Sequence, residues 1–333
     1  MNHSARRRIA IVTDSAADIP PDLAQEYGVH VEPLILIMGT ETWRDGVDID
    51  PPGFYELLQR SSTFPTTSQP SVARFIELFS EVSRNTDGVV AVLVSDELSG
   101  TLSSARAAAA KLPEIAIELV DSRAVSMQLG FTVLAAARAA AGGADLDEVA
   151  AAARALVGRT HVYFVVDTLE YLHRGGRIGA AARHFGSALN LKPILEVRDG
   201  IVSPLTRVRT RRKALCTLLK LVGEHLAEGD KVHMAVLHVA VPAEAASLAE
   251  QLEARFHPVE MIESECGPVI GVHVGPGTLG VGFYVEWAGA SWLPPGCCLE
   301  EPYSTMRADW QVQAGFAGIA KLRLWPRSRI IAW

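Results

Sequence analysis

Apolar runs alternate with polar loops along this chain in the order of an α/β protein. Ile9 to Val12 is a short apolar run that stops at Thr13-Asp14-Ser15, and Ile19-Pro20-Pro21-Asp22 then opens a helix. Strand, polar loop and helix in that order make the first unit of an open α/β sheet. His30 to Met38 reads as the second strand, turned back at Gly39-Thr40-Glu41-Thr42. Asp50-Pro51-Pro52 marks a helix start, because Asp50 can accept from free amides while proline suits the first turn. Ser71 is placed to cap a helix that carries Phe75, Leu78 and Phe79 on one side. Gly88 to Val94 is apolar throughout, the pattern of a strand buried on both faces of a parallel sheet. Ser95 to Thr101 follows it directly, then an alanine-rich helix toward Lys111. Ala116 to Val120 is a further strand ending at Asp121-Ser122, and Met127 to Ala141 is a long helix stopped by Gly142-Gly143.

Near Ala155 the texture changes. His161 to Val166 reads as a strand, and Leu169 to Gly179 spells Leu-Glu-Tyr-Leu-His-Arg-Gly-Gly-Arg-Ile-Gly. Asn190 to Val197 and Ile201 to Val208 flank Asp199-Gly200, the signature of a β-hairpin. An amphipathic helix over Arg211 to Ala227, a strand over Lys231 to Val239, a helix over Glu244 to Arg255 and a strand over Val259 to Ser264 complete the pattern. The expected organisation is a larger α/β domain over 8–158 with 266–286, its mostly parallel sheet flanked by helices. A smaller α/β domain covers 159–265 and an atypical extension covers 287–333. That extension holds five of the six tryptophans, at 287, 292, 310, 325 and 333.

Composition narrows the function classes. With 333 residues and 49% apolar content the chain can bury a large core. Its net charge of -7 offers no nucleic-acid face, and the run Arg6-Arg7-Arg8 reads as a solvated terminus. The cysteines form no C-x-x-C pair and suit a reducing, cytoplasmic compartment. No stretch reaches the roughly 20 apolar residues of a membrane span. No integral membrane association is therefore expected, and any lipid must come to a soluble fold.

The chemistry-bearing positions cluster at strand ends, where open α/β sheets bind ligands. Thr13-Asp14-Ser15, Ser95 to Thr101 and Asp121-Ser122 fall there, and Thr66-Thr67-Ser68 lies ahead of a helix. Together they would form a cup of neutral donors for a carboxylate or phosphate; singly, each can simply cap a helix. Asp45, Asp48 and Asp50 match no calcium-loop spacing and read as capping or surface groups. No G-x-S-x-G, Walker or H-E-x-x-H sequence is present, and the ten histidines lack metal-ligand spacing. Gly275-Pro276-Gly277-Thr278-Leu279-Gly280 has the G-x-G-x-x-G form but leads into another strand rather than a helix, which argues against a dinucleotide. No cofactor or metal is expected. His273, read on a strand with Val272 and Val274 facing the other way, can either reach a bound anion or pack in the core.

Taken together these stretches resemble the DegV family of bacterial fatty-acid-binding proteins. The matching pieces are Val12-Thr13-Asp14-Ser15, Thr67-Ser68-Gln69-Pro70-Ser71, Leu98-Ser99-Gly100-Thr101, Asp121-Ser122, Leu172-His173-Arg174-Gly175-Gly176-Arg177-Ile178 and His273-Val274-Gly275-Pro276-Gly277, in family order over roughly 8–286. The resemblance implies a two-domain α/β fold with a long-chain fatty acid buried in one domain and its carboxylate near the interdomain cleft. It implies that Thr67 and Ser99 hydrogen-bond the carboxylate, that His273 reaches the same head group, and that Ser68 and Thr101 are neighbours. Arg174 and Arg177 match the family's paired arginines, which shape the cleft or meet a phosphorylated product or partner; interdomain salt bridging is their plainer role. The implied partner is a separate ATP-binding fatty acid kinase subunit, so this chain would be a carrier, not an enzyme, in phospholipid metabolism. Three rival accounts stand beside it: a fatty acid buffer or sensor without a kinase, a serine-dependent acyl hydrolase using Ser99 or Ser15 with His273 as base, and a purely structural protein.

Overall fold

A computed structural model describes residues 8–61, 63–179 and 191–286. The first strand, β1 (Ile9–Asp14), is followed by β2 (Val29–Glu32), β3 (Ile35–Met38), β4 (Glu41–Arg44) and β5 (Thr66–Ser68). The single strand expected over His30 to Met38 is therefore two strands in different sheets. Pro33 has no amide to donate, and the chain leaves the first ladder there. β6 (Gly88–Leu93) and β7 (Ile117–Asp121) complete a parallel sheet in the order β2-β1-β6-β7, while β4-β3-β5 form a small antiparallel sheet. Every residue of β6 is buried, as its unbroken apolar run requires of a central strand.

The second sheet contains β8 (His161–Val165), β9 (Lys192–Arg198), β10 (Ile201–Val208), β11 (Val232–His238), β12 (Glu260–Glu265) and β13 (Leu279–Val285), in the order β10-β9-β8-β13-β11-β12. The β9–β10 hairpin turns at Asp199 and Gly200, both with positive φ, as the Asp-Gly pair predicts. β13 pairs antiparallel with β8 and β11. The expected return of 266–286 to the first domain is thus corrected for its strand. The helix Pro268–Val274, by contrast, packs against β3, β5 and the helix Pro51–Arg60.

Helix Met127–Gly142 joins the two α/β domains. It contacts β1 and β6 on one side and β8 and β13 on the other, and twelve of its residues are buried. A helix apolar on all faces has to lie inside, and this one lies between two sheets. Helices Val72–Val82 and Thr101–Ala109 cover the outer face of the parallel sheet through Phe75, Phe79, Leu102 and Ala105. Arg211–Gly223 and Pro242–Phe256 cover the outer face of the six-stranded sheet. Ser71 caps its helix through the amide of Arg74, and Asp50 caps through Gly53. No helix among the described residues is long and apolar enough to cross a membrane. The extension at 287–333 lies outside the described residues.

Candidate functional site

Between the parallel sheet's carboxyl edge and the inner face of the six-stranded sheet lies a cavity of about 700 Å³, counting its open mouth. Its walls are largely aliphatic, with Leu34, Val94, Val125, Phe164, Val197 and Ile270 among them. The polar lining is confined to Thr67, Ser68, Gln69, Ser99, Arg177 and His273. An apolar chamber with one polar group of side chains accepts a long apolar body carrying one polar head.

Each head-group residue is placed by a local feature of the sequence. Thr67 and Ser68 sit on β5, the edge strand against Ile35 and Leu36. Ser99 lies in the turn between β6 and the helix Thr101–Ala109, its hydroxyl 2.8 Å from the Thr101 hydroxyl. His273 occupies the last turn of the helix Pro268–Val274, not a strand as the sequence suggested, because Pro268 starts a helix where alternation implied extended chain. Its Nε2 lies 2.9 Å from Thr67 Oγ1. Among the described residues Nδ1 is buried without a hydrogen-bond partner. A Cβ built on Gly175 would come within 2.3 Å of that nitrogen, so the ring packs directly on the Gly175 backbone. Burial first, then the positive charge of Arg177, push His273 down to about 4. The imidazole is neutral at ordinary pH, and a proton on Nε2 gives it one donor at the Thr67 wall.

Arg177 is held by two carbonyls. Its Nε donates to Leu98 O at 3.1 Å and its Nη1 to Gly175 O at 2.7 Å. The other arginine departs from the expected pairing. Arg174 is exposed, ion-paired with Glu170 at 2.7 Å and laid over the Phe64 ring, and it does not line the cavity. Thr101 is fully buried and supports Ser99 rather than facing the cavity. Ser99, Ser68, Thr67, His273 and Arg177 are the predicted residues that the fold brings together. The wider cup expected at the strand ends is not formed. Ser15 donates to Asp45, Ser95 donates to Gly200 O, and Ser122 closes a turn on Ala124.

Several residues at the cavity and behind its wall received no role from the sequence, although Gln69 and Asp14 lie inside the matching motifs. Gln69 lines the cavity and lies against Gly100. Asp45, read as a capping or surface group, is buried. With Asp14 and Asp18 it forms a set of interior carboxyls behind the cavity wall. Burial raises Asp14 and Asp18 to about 7 and Asp45 to about 6, against the lowering pull of backbone amides or hydroxyls. No group of three or more His, Cys, Asp or Glu among the described residues is placed to hold a metal ion.

A hydrolytic pair would need Ser99 hydrogen-bonded to His273. Among the described residues His273 Nε2 pairs with Thr67, and the Ser99 hydroxyl pairs with Thr101 and the Thr101 amide.

Comparison with known proteins places this architecture. The family model described as "Uncharacterised protein, DegV family" matches residues 8–286. The DegV domain-containing protein SCO2569 of Streptomyces coelicolor is 40% identical over 277 residues, covering 83% of this chain and 98% of the relative. Protein DegV of Bacillus subtilis is 35% identical over 274 residues, covering 82% of this chain and 98% of its own. Among solved structures, a DegV family protein from Thermus thermophilus described for its fatty acid binding is 37% identical with a TM-score of 0.79, covering 84% of this chain and 100% of that one. The crystal structure of DegV from Bacillus subtilis, described as a fatty acid binding protein, gives 34% identity and a TM-score of 0.79 with the same coverage. From the motif order, the sheet topology and these matches, the chain belongs to the DegV family.

Proposed function

We propose that the chain binds a long-chain fatty acid, its tail in the aliphatic cavity and its carboxylate against Thr67, Ser99 and His273, with Arg177 beside them. The observation that carries this reading is the Thr67–His273 pair at the polar end of an otherwise apolar chamber. Tail burial is worth about 0.8 kcal/mol per methylene before ordering costs. Neutral donors fix an anionic head without the desolvation cost of a second buried charge. Relatives described as fatty acid binding, with 37% and 34% identity, support the same assignment.

In the same reading the protein is a cytoplasmic carrier that presents the carboxylate to a separate ATP-dependent fatty acid kinase subunit. The half-exposed arginine at 174 stands outside the cavity, where a phosphoryl group or a partner can meet it. Native purification followed by mass spectrometry of molecules released on denaturation tests the ligand. Stoichiometric fatty acid is expected, and a protein that arrives empty and takes up none when it is added refutes the assignment. Acyl phosphate formation with ATP and a kinase subunit, absent when either protein is omitted, is the matching test of the partner. A buffer or sensor would bind fatty acid and support no such transfer.

A further inference from the structure

The helix that carries His273 is only seven residues long, and its position sets where Nε2 stands. Its seats include the buried Asp45 carboxyl, which packs against Gly267 at the helix start, and three further contacts. At its end, the imidazole rests on Gly175 and Gly275 rests on the Tyr171 ring. At its middle, Gly271 lies so close to Tyr55 that a Cβ there would be 2.5 Å from the phenol oxygen. At its start, the carboxylate of Asp18 accepts the Gly267 amide at 2.8 Å.

Asp18 is built for that task. It sits at the end of the turn Ser15–Ala17 in a left-handed conformation, and it is 8% exposed. Its second carboxylate oxygen accepts from Ser126 at 2.5 Å, and its backbone carbonyl accepts from Ser264. Ser126 also has a positive φ, an uncommon conformation for a residue with a side chain. Asp18, four residues beyond β1, thus ties together the end of β12, the approach to helix Met127–Gly142 and the start of the His273 helix. It does not line the cavity.

We infer that Asp18 is a positioning residue for the head-group site, fixing the start of the Pro268–Val274 helix and thereby the place of His273 Nε2 opposite Thr67. This rests on the fatty acid reading above. Gly267 and His273 are about 9 Å apart along the helix at its normal rise. A helix this short, packed at its middle against Tyr55, moves as one piece, so slack at Gly267 reaches the imidazole. Without Asp18 the Gly267 amide and the Ser126 hydroxyl lose their acceptor in a buried place, and the segment has to rearrange to satisfy them.

The test compares two ligands with the same tail. Wild type, Asp18→Ala and Asp18→Asn are titrated with palmitate and with hexadecanol, which keeps the chain and replaces the carboxylate by a neutral hydroxyl. Asp18→Ala is expected to lower palmitate affinity by about tenfold or more and hexadecanol affinity by less than about twofold. Asp18→Asn, which keeps an acceptor for Gly267, is expected to hold palmitate within about threefold. The His273 ring, followed by NMR, is expected to titrate above its place near 4 once its seat loosens in Asp18→Ala. If Asp18→Ala does not fold, Ser126→Ala removes one of the two side-chain bonds and is expected to weaken palmitate alone, by about threefold. Equal loss of both ligands, or unchanged palmitate affinity with an unchanged His273 titration, overturns the positioning role while leaving the carrier reading intact. A wild type that binds no palmitate or any other fatty acid overturns the carrier reading, and this inference with it.

Discussion

Thr67 Oγ1 and His273 Nε2 stand 2.9 Å apart, although 206 positions separate them in the chain. The contact joins the edge strand of the small sheet to the last turn of a short helix, and both residues line the cavity. A carboxylate arriving there meets a hydroxyl and an imidazole already oriented by each other, with the Ser99 hydroxyl on the same wall. Hydrogen bonds to a charged group are worth about 1.5–3 kcal/mol each. Thr67→Ala, Ser99→Ala and His273→Ala are therefore each expected to weaken fatty acid binding by about ten- to a hundredfold. Calorimetric titration checks this, and affinities unchanged in all three would remove the head-group site.

The seat of His273 makes a second expectation. Gly175 has an ordinary negative φ, so a side chain there is excluded chiefly by the imidazole, at 2.3 Å, with the Tyr171 carbonyl at 3.1 Å a lesser contact. Gly175→Ala drives a methyl into Nδ1 and displaces the ring, with an expected loss of about tenfold or more in fatty acid affinity. Gly176 is its control: with φ +70 and nothing within 4 Å of a built Cβ, it bears conformational strain only. Gly176→Ala is expected to cost about 1–2 kcal/mol of stability and to leave the affinity alone. Equal binding losses in the two variants would mean that the loop, not the contact, matters.

Much of this fold is legible in the sequence because its strands are short, apolar and bounded by polar turns. The all-buried run at Gly88, the Asp-Gly hairpin and the Asp50 and Ser71 caps are local patterns with local causes. What escaped depends on distant partners. The break at Pro33 sends β2 and β3 into separate sheets, a choice fixed by neighbours far along the chain. Val269 to Val274 looks extended by alternation, yet Pro268 and the packing of Gly271 on Tyr55 make it helical. β13 joins the second sheet through ladders to β8 and β11 that no local pattern encodes. Asp45 reads as surface by residue type, and only the tertiary fold buries it beside Ser15. The cavity residues were recoverable as an ordered set of motifs, but the separation of Arg174 from Arg177 was not.

That separation gives a clean contrast. Arg177 lines the cavity and bridges Leu98 to Gly175, whereas Arg174 is spent on Glu170 and the Phe64 face outside it. Arg177→Ala removes both a charge near the head group and a tie between two loops, and is expected to weaken fatty acid binding by about tenfold. Arg174→Ala is expected to keep binding within about twofold, since an exposed pair contributes about 1 kcal/mol or less. Loss of binding in Arg174→Ala, measured by the same titration, would place that arginine in the site after all.

The interior carboxyls predict an unusual pH dependence of stability. Burial holds Asp14 and Asp18 up at about 7 and Asp45 at about 6, while the unfolded chain titrates near 3.8. Between those limits the native state binds more protons than the unfolded state, so stability falls as pH rises through the window. Half-buried His161 and His273, lowered to about 4 by desolvation, act in the opposite sense: their native forms bind fewer protons, and stability rises with pH through the ordinary histidine value of 6.5. Above that value the histidine contribution fades as the unfolded rings lose their remaining protons, and the carboxyls outweigh it. Denaturant unfolding is therefore expected to show stability declining from about pH 6.5 to about pH 7.5 and levelling beyond. Asp18→Asn, with no proton to lose, is expected to flatten that decline. A wild type whose stability rises across the same interval would show that these carboxyls are ionised in the folded protein at neutral pH, and that their amide and hydroxyl donors outweigh the cost of burying them.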